Sequence, residues 1–121
     1  RILKEGFVTY SDRAKRKRLL VKKGTLAREG AVSGKTAKEM AKGGCFASGA
    51  DVCISITGIA GPDGGSKEKP VGTVFMACCY QGEVNIKEFH FSGSRSKIRE
   101  CTTVSALVLL RDTLLQNFKK K

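Results

Sequence analysis

Residues 50–80 read ADVCISITGIAGPDGGSKEKPVGTVFMACCY, and the fold turns on how this stretch divides. Val52, Ile54 and Ile56 alternate with Cys53, Ser55 and Thr57, the two-residue period of a strand with one branched apolar face and one face of small polar groups. Gly58, Gly61, Pro62, Gly64 and Gly65 then end the strand in a loop poor in side chains. From Val71 to Tyr80 the chain is apolar on both faces, which predicts an interior strand. Small polar residues let a ligand approach the first strand closely without burying an unpaired charge, so a working site is expected at its carboxyl end.

Working outward, Gln81-Gly82 is a short turn and Glu83 to Phe91 returns antiparallel. Val84 and Ile86 share one face of that strand, Phe89 and Phe91 the other. The change of phase predicts a bulge or an exchange of covering layers. His90 alternates away from the two phenylalanines and reads as partly exposed rather than catalytic. Ser92-Gly93-Ser94 breaks the strand. A long helix follows from Arg95 to Phe118, its main stripe Val104, Leu107, Leu110, Leu114 and Phe118, widened by Ile98, Cys101, Val108 and Leu115. Lys119-Lys120-Lys121 suits the negative end of that helix.

Upstream, Gly6 to Tyr10 is β-favouring and reads as a first strand. Ser11-Asp12 caps a cationic helix running to about Val21, and Gly24 is expected just past its end. Ser33 caps a second helix whose face of small residues (Ala37, Met40, Ala41, Gly44, Cys45, Ser48) should lie close on the sheet, until Gly49 closes it. Lys35, Lys38, Glu39 and Lys42 fall on its other side. The predicted order β-α-α-β-β-β-α calls for an α/β fold in three α/β/α layers around a mixed sheet.

At 121 residues the chain holds one core, so a single domain over residues 1–121 is expected. It opens on Arg1 and not on Met, which reads as the middle of a longer protein lacking its N-terminal segment. No apolar run approaches the roughly 18 residues of a membrane span, and a soluble, cytoplasmic protein without membrane contact is expected. Five cysteines and one histidine without C-x-x-C spacing predict reduced thiols, Cys53 and Cys78 among them as core residues, and no metal or other cofactor. The net charge of +12 would attract phosphates or nucleic acid, but Arg16, Lys17, Lys22 and Lys23 read first as a solvated helix face.

Three groups of residues could carry chemistry. Tyr10 and Lys15 bring a phenol and an amine toward one point, where Arg13, Arg16 and Arg18 would lower the lysine pKa by like-charge repulsion. Spacing alone favours a simpler account, a half-buried strand tyrosine and a solvated lysine. Thr57 to Pro62 exposes backbone N–H groups that suit a phosphate or an oxyanion, and serves equally well as a plain connection. Ser92 to Arg95 places a guanidinium at a helix start, fitting either an anion or a cap.

Taken together, Phe7 to Ser11 with Ala14-Lys15, Gly30 to Ser33, Ser55 to Gly65, Lys69 to Val74, and Phe89 to Phe91 with Gly93 and Arg95 resemble the C-terminal domain of the competence/damage-inducible CinA proteins, which also occurs alone as nicotinamide-nucleotide amidase. The resemblance implies an α/β/α domain that hydrolyses the carboxamide of nicotinamide mononucleotide, a small nucleotide substrate, to nicotinic acid mononucleotide and ammonia without a metal. It implies a serine nucleophile, a lysine base matching Lys15 and a tyrosine matching Tyr10. It further implies substrate contacts from Thr57, Gly58, Ile59, Ala60 and Gly61, with Arg95 a candidate for the phosphate. The family carries its nucleophile in an S-C-T-G-G motif upstream of the first strand, and that motif is absent from this sequence. The chain alone is therefore expected to be incompetent. A non-catalytic nucleotide- or nucleic-acid-binding module, or a degenerate domain kept for assembly, is the alternative, and a homo-oligomer is left open.

Overall fold

The structure, a computed structural model, describes residues 3–119; Arg1, Ile2, Lys120 and Lys121 lie outside the described residues. Its elements are α1 (Asp12–Leu19), α2 (Lys23–Glu29), α3 (Gly34–Ser48), β1 (Val52–Gly58), β2 (Thr73–Tyr80), β3 (Glu83–His90) and α4 (Arg95–Lys119). The three strands form one sheet in the order β1-β2-β3, with β2 interior as its two apolar faces require. Both pairings are antiparallel, so among the described residues the sheet is not mixed. Gln81 (φ 53°) and Gly82 (φ 81°) make the tight turn between β2 and β3.

Alternation along the strands builds the layers. On one face Val74, Met76 and Cys78 pack with Ile98, Ala106 and Leu109 of α4, joined by Val52, Ile54, Phe89 and Phe91. On the other, Ala77 and Cys79 pack with Ala37 and Ala41 of α3, joined by Cys45, Phe75 and Val84. These layers are the α/β/α sandwich. No bulge interrupts the β2–β3 register from Thr73↔His90 to Tyr80↔Glu83. The phase change in β3 is instead an exchange of layers, with Val84 under α3 and Phe89 under α4.

Ser33 caps α3 by accepting from the Thr36 amide at 3.1 Å, and Gly49 closes the helix in the left-handed region at φ 70°. Gly43 lets α3 meet the end of α1 directly. A Cβ there would sit 1.7 Å from the Leu19 carbonyl oxygen, so no larger residue fits without moving backbone.

Three further expectations fail. Gly6 to Tyr10 forms no strand, because among the described residues no strand lies beside it to take its backbone groups; it runs as an extended segment, anchored where Phe7 packs on Leu19, Val21 and Met40. Gly24 does not end α1. Leu20, at φ 60°, does, and Gly24 lies inside α2, a helix whose start is held by the Glu39 carboxylate accepting from the Lys22 amide (2.9 Å) and the Thr25 hydroxyl (2.7 Å). Glu39, on the side of α3 away from its small-residue face, thus faces α2. Finally, the predicted main stripe of α4 is not what it buries. Ile98, Ala106, Leu109 and Thr113 face the sheet, whereas Val104 and Leu107 are each 62% exposed, with Val108, Leu115 and Phe118 also exposed.

Candidate active site

The cleft that opens beside β1 gathers several of the residues singled out above. It encloses about 1110 Å³ between the extended segment 3–10 and β1, and its walls include Tyr10, Lys15, Ala31, Val32, Thr57 and Gly58. Tyr10 and Lys15 therefore share one space with the start of the glycine loop. Ser11 makes this possible by accepting from the Ala14 amide at 3.0 Å, which fixes the first turn of α1 and aims Lys15 inward.

Lys15 is only 7% exposed, so it is not the solvated lysine that its basic neighbours suggest. Its ammonium donates to the Thr9 carbonyl at 2.5 Å. Burial lowers its pKa from the usual 10.5, and Asp12 opposes the shift. Arg13, Arg16 and Arg18 are exposed, so desolvation and not like-charge repulsion is the cause. Tyr10 is 91% exposed at the cleft mouth, a position from which a phenol meets both solvent and an incoming ligand.

The hydroxyls of this region are committed to structure. Thr57 donates to the Ala31 carbonyl (2.7 Å) and Ser55 to the Ala37 carbonyl (2.5 Å). Ser33 is tied to Thr36 and Ser11 to α1. None of the four is positioned as a free nucleophile beside Lys15.

The glycine loop runs on from β1 and is partly engaged. The Ile59 amide donates to the Thr73 carbonyl at 3.0 Å, and the Ile59 carbonyl accepts from Gly72 at 2.7 Å. Ile59 therefore extends the sheet by one pair. Beyond it the Gly61–Pro62 peptide is cis, and the Gly61 carbonyl accepts from the Arg95 guanidinium at 2.9 Å. Arg95 thus ties the start of α4 to the loop. Ile59, Ala60, Gly61 and Arg95 do not line the cleft beside Tyr10 and Lys15. His90 is exposed and paired with Glu88 at 2.6 Å, away from the site.

Sequence reading missed two contributors. The Thr9 carbonyl holds the lysine, a backbone role that no residue type announces. Ala31 and Val32 also line the cleft, against β1, where the Ala31 carbonyl receives Thr57. Among the described residues no cluster of three His, Cys, Asp or Glu side chains could hold a metal ion. All five cysteines are free thiols, with Cys78 fully buried. No described helix is long and apolar enough to cross a membrane.

A three-layer α/β/α domain with a buried lysine in a cleft along its edge strand is thus defined. The sequence profile of the CinA C-terminal domain matches residues 1–114, and the chain belongs to that family. It is 52% identical over 115 residues to a Clostridium novyi protein named for competence-damage induction, and 49% identical over 111 residues to a CinA-like protein of Citrifermentans bemidjiense. These matches take in 95% and 92% of this chain but only 28% and 27% of the relatives, so the chain spans about a quarter of their length. Among solved structures, a competence/damage-inducible protein of Agrobacterium tumefaciens superposes with a TM-score of 0.86 at 45% identity, covering 88% of this chain and 66% of that one. A CinA superfamily protein of Escherichia coli gives 0.83 at 42%, covering 87% and 61%.

Proposed function

We propose that this domain belongs to a nicotinamide mononucleotide amidohydrolase, converting the carboxamide to nicotinic acid mononucleotide with release of ammonia. The observation that carries this reading is Lys15: an amine buried in the cleft that Tyr10, Thr57 and Gly58 also line, with its proton affinity lowered by desolvation. A lysine works as a base only when it spends time neutral, and burial moves Lys15 in that direction while Asp12 opposes it.

In the proposed reaction Lys15 takes the proton of a serine brought by an S-C-T-G-G segment, and the serine oxygen attacks the carboxamide carbon. The backbone amide of Gly58, which lines the cleft, stabilises the oxyanion. Tyr10 relays the proton from Lys15 to the departing nitrogen, ammonia leaves, and water cleaves the acyl ester. A free nucleotide substrate fits a cytoplasmic enzyme.

One observation favours a second reading, a non-catalytic binding module: the hydroxyls of Ser11, Ser33, Ser55 and Thr57 are all held in structural bonds. In that reading the cleft senses a nucleotide, or the exposed cations of α1 hold nucleic acid.

One experiment separates the readings. The chain extended upstream by a segment bearing S-C-T-G-G should release ammonia from nicotinamide mononucleotide, and Lys15→Ala should lower the rate at least a hundredfold. Nucleotide binding with unchanged turnover in Lys15→Ala removes the proposed role of Lys15. Nucleotide binding with no turnover in the extended chain supports the sensor, and DNA retention that weakens steeply with salt supports the nucleic-acid module.

A further inference from the structure

The small-residue face of α3 ends on a pair of thiols. Cys45, in the last turn of the helix, packs on Cys79 of β2. Its Sγ donates to the Cys79 carbonyl at 3.7 Å, and the Cys79 thiol lies within hydrogen-bonding reach of it. Both residues line a cavity of about 540 Å³ at the end of β1 away from Gly58, whose walls also include Asp51 and the Gln81-Gly82 turn. A small ligand can therefore reach both sulfurs from one space.

The charges around the cavity favour a cation. The chain carries a net charge of +12, yet among the described residues no lysine, arginine or histidine lines this cavity, whereas Asp51 does. The negative end of α3 lies here, and its last turn contains no basic residue. Burial first, then the neighbouring Cys79 and Cys53, push the Cys45 pKa up to about 12, so negative charge on this sulfur lacks a counterion in the fold. The count of ligands narrows the choice of ion. Cys53, the β1 partner of Cys79, turns its Sγ beneath Gly44 and lines the cleft instead of this cavity. Among the described residues no group of three His, Cys, Asp or Glu could hold a metal, which excludes a closed zinc site with its four ligands. Soft thiolates select Cu(I), and two thiolates in line satisfy that ion.

We propose that Cys45 and Cys79 form a two-thiolate site for a soft monovalent cation, Cu(I), which enters through the cavity beside Asp51. Binding exchanges protons for metal: two S–H bonds break, two S–Cu bonds form, two protons pass to solvent and no electron moves. The cation supplies the positive charge that the end of α3 and the paired sulfurs lack. The ion has no part in the proposed hydrolysis, and the inference rests on this cavity alone, whether or not the domain cleaves an amide.

The test adds Cu(I), held by the competing chelator bicinchoninate, to the reduced 121-residue chain in the absence of oxygen. The chain should withdraw a single Cu(I), and X-ray absorption should find two sulfur ligands on it. Cys45→Ser and Cys79→Ser should each weaken binding by at least about a hundredfold, the cost of losing an intramolecular second ligand, whereas Cys53→Ser and Cys101→Ser should stay within about threefold. Circular dichroism checks that each variant keeps its fold. Should Cys79→Ser lose it, Cys45→Ser, at the more open of the two positions, and the sulfur count decide. Wild-type affinity in Cys45→Ser overturns the proposal. So does a single sulfur ligand, which is an adventitious ion only, and so does a loss of binding that follows Cys53 instead of Cys45.

Discussion

Replacing Gly43 by alanine pits two effects of known sign against each other. Alanine is the better helix former by about 1 kcal/mol, so in an open helix position the change stabilises. At Gly43 the new Cβ would lie 1.7 Å from the Leu19 carbonyl oxygen and 2.4 Å from its carbon. Ordinary contact would require α3 and the end of α1 to part by well over an ångström, and backbone cannot rotate away as a side chain tip can. Overpacking of this kind costs about 1–3 kcal/mol, with backbone contacts at the upper end, so the net loss should be about 2 kcal/mol. Gly24, inside α2, is the control: its added Cβ meets only the mobile end of Arg28, at 3.1 Å. Gly24→Ala should therefore gain up to about 1 kcal/mol. Urea unfolding followed by circular dichroism reads both, the difference appearing in the midpoint at unchanged slope. The consequence reaches the site, because Lys15 lies one turn from Leu19 on the same buried side of α1. If Gly43→Ala is as stabilising as Gly24→Ala, the close approach on which the placement of Lys15 depends is wrong.

The two faces of α4 should respond differently to truncation. Ile98→Ala, at a residue 1% exposed, is expected to cost about 2–5 kcal/mol, whereas Leu107→Ala in the isolated chain should stay within about 0.5 kcal/mol. Equal losses would refute the orientation of the helix. Cys45 offers a pH test: burial first, then Cys79 and Cys53, push its pKa from 9.0 up to about 12. The unfolded chain gives up this proton earlier, so the contribution of Cys45 to stability is present below pH 9 and is lost as pH rises toward 12. Cys45→Ala should flatten that alkaline decline. In alkylation at pH 8 the Cys45 thiol of the folded chain should also be slower than an unshifted thiol by up to about a thousandfold, following its thiolate fraction.

The fold was largely legible because its strands announce themselves. Val52 to Thr57 alternates, Val71 to Tyr80 does not, and Gln81-Gly82 joins the second strand to the third, which fixes β2 as interior. What could not be read were matters settled between distant segments. Glu39 starts α2 across fifteen or so residues of chain, so Gly24 looked like a terminator when it is a helix residue. The segment 6–10 has the composition of a strand, but composition supplies no neighbour to pair with. α4 carries apolar residues on both sides, and periodicity cannot say which side meets the sheet.

At the site, spacing brought Tyr10 and Lys15 together, yet it pointed to the wrong cause for the lysine's shifted proton affinity. The basic run around Lys15 suggested repulsion. The structure turns Lys15 inward while Arg13, Arg16 and Arg18 face water, so desolvation governs. The commitments of Ile59 to the sheet and of Arg95 to Gly61 were invisible for the same reason that the Thr9 carbonyl was. Backbone partners leave no mark on residue identity.

The central claim is that Lys15 sits desolvated in the cleft and gives up its proton more readily than a surface lysine. Titration of the Lys15 side-chain nitrogen by NMR, in the folded chain against Lys15→Arg to assign the signal, measures this directly. The account predicts a midpoint below 10.5 and a signal that moves when nicotinamide mononucleotide is added. A midpoint at or above 10.5, with no response to the nucleotide, would contradict it.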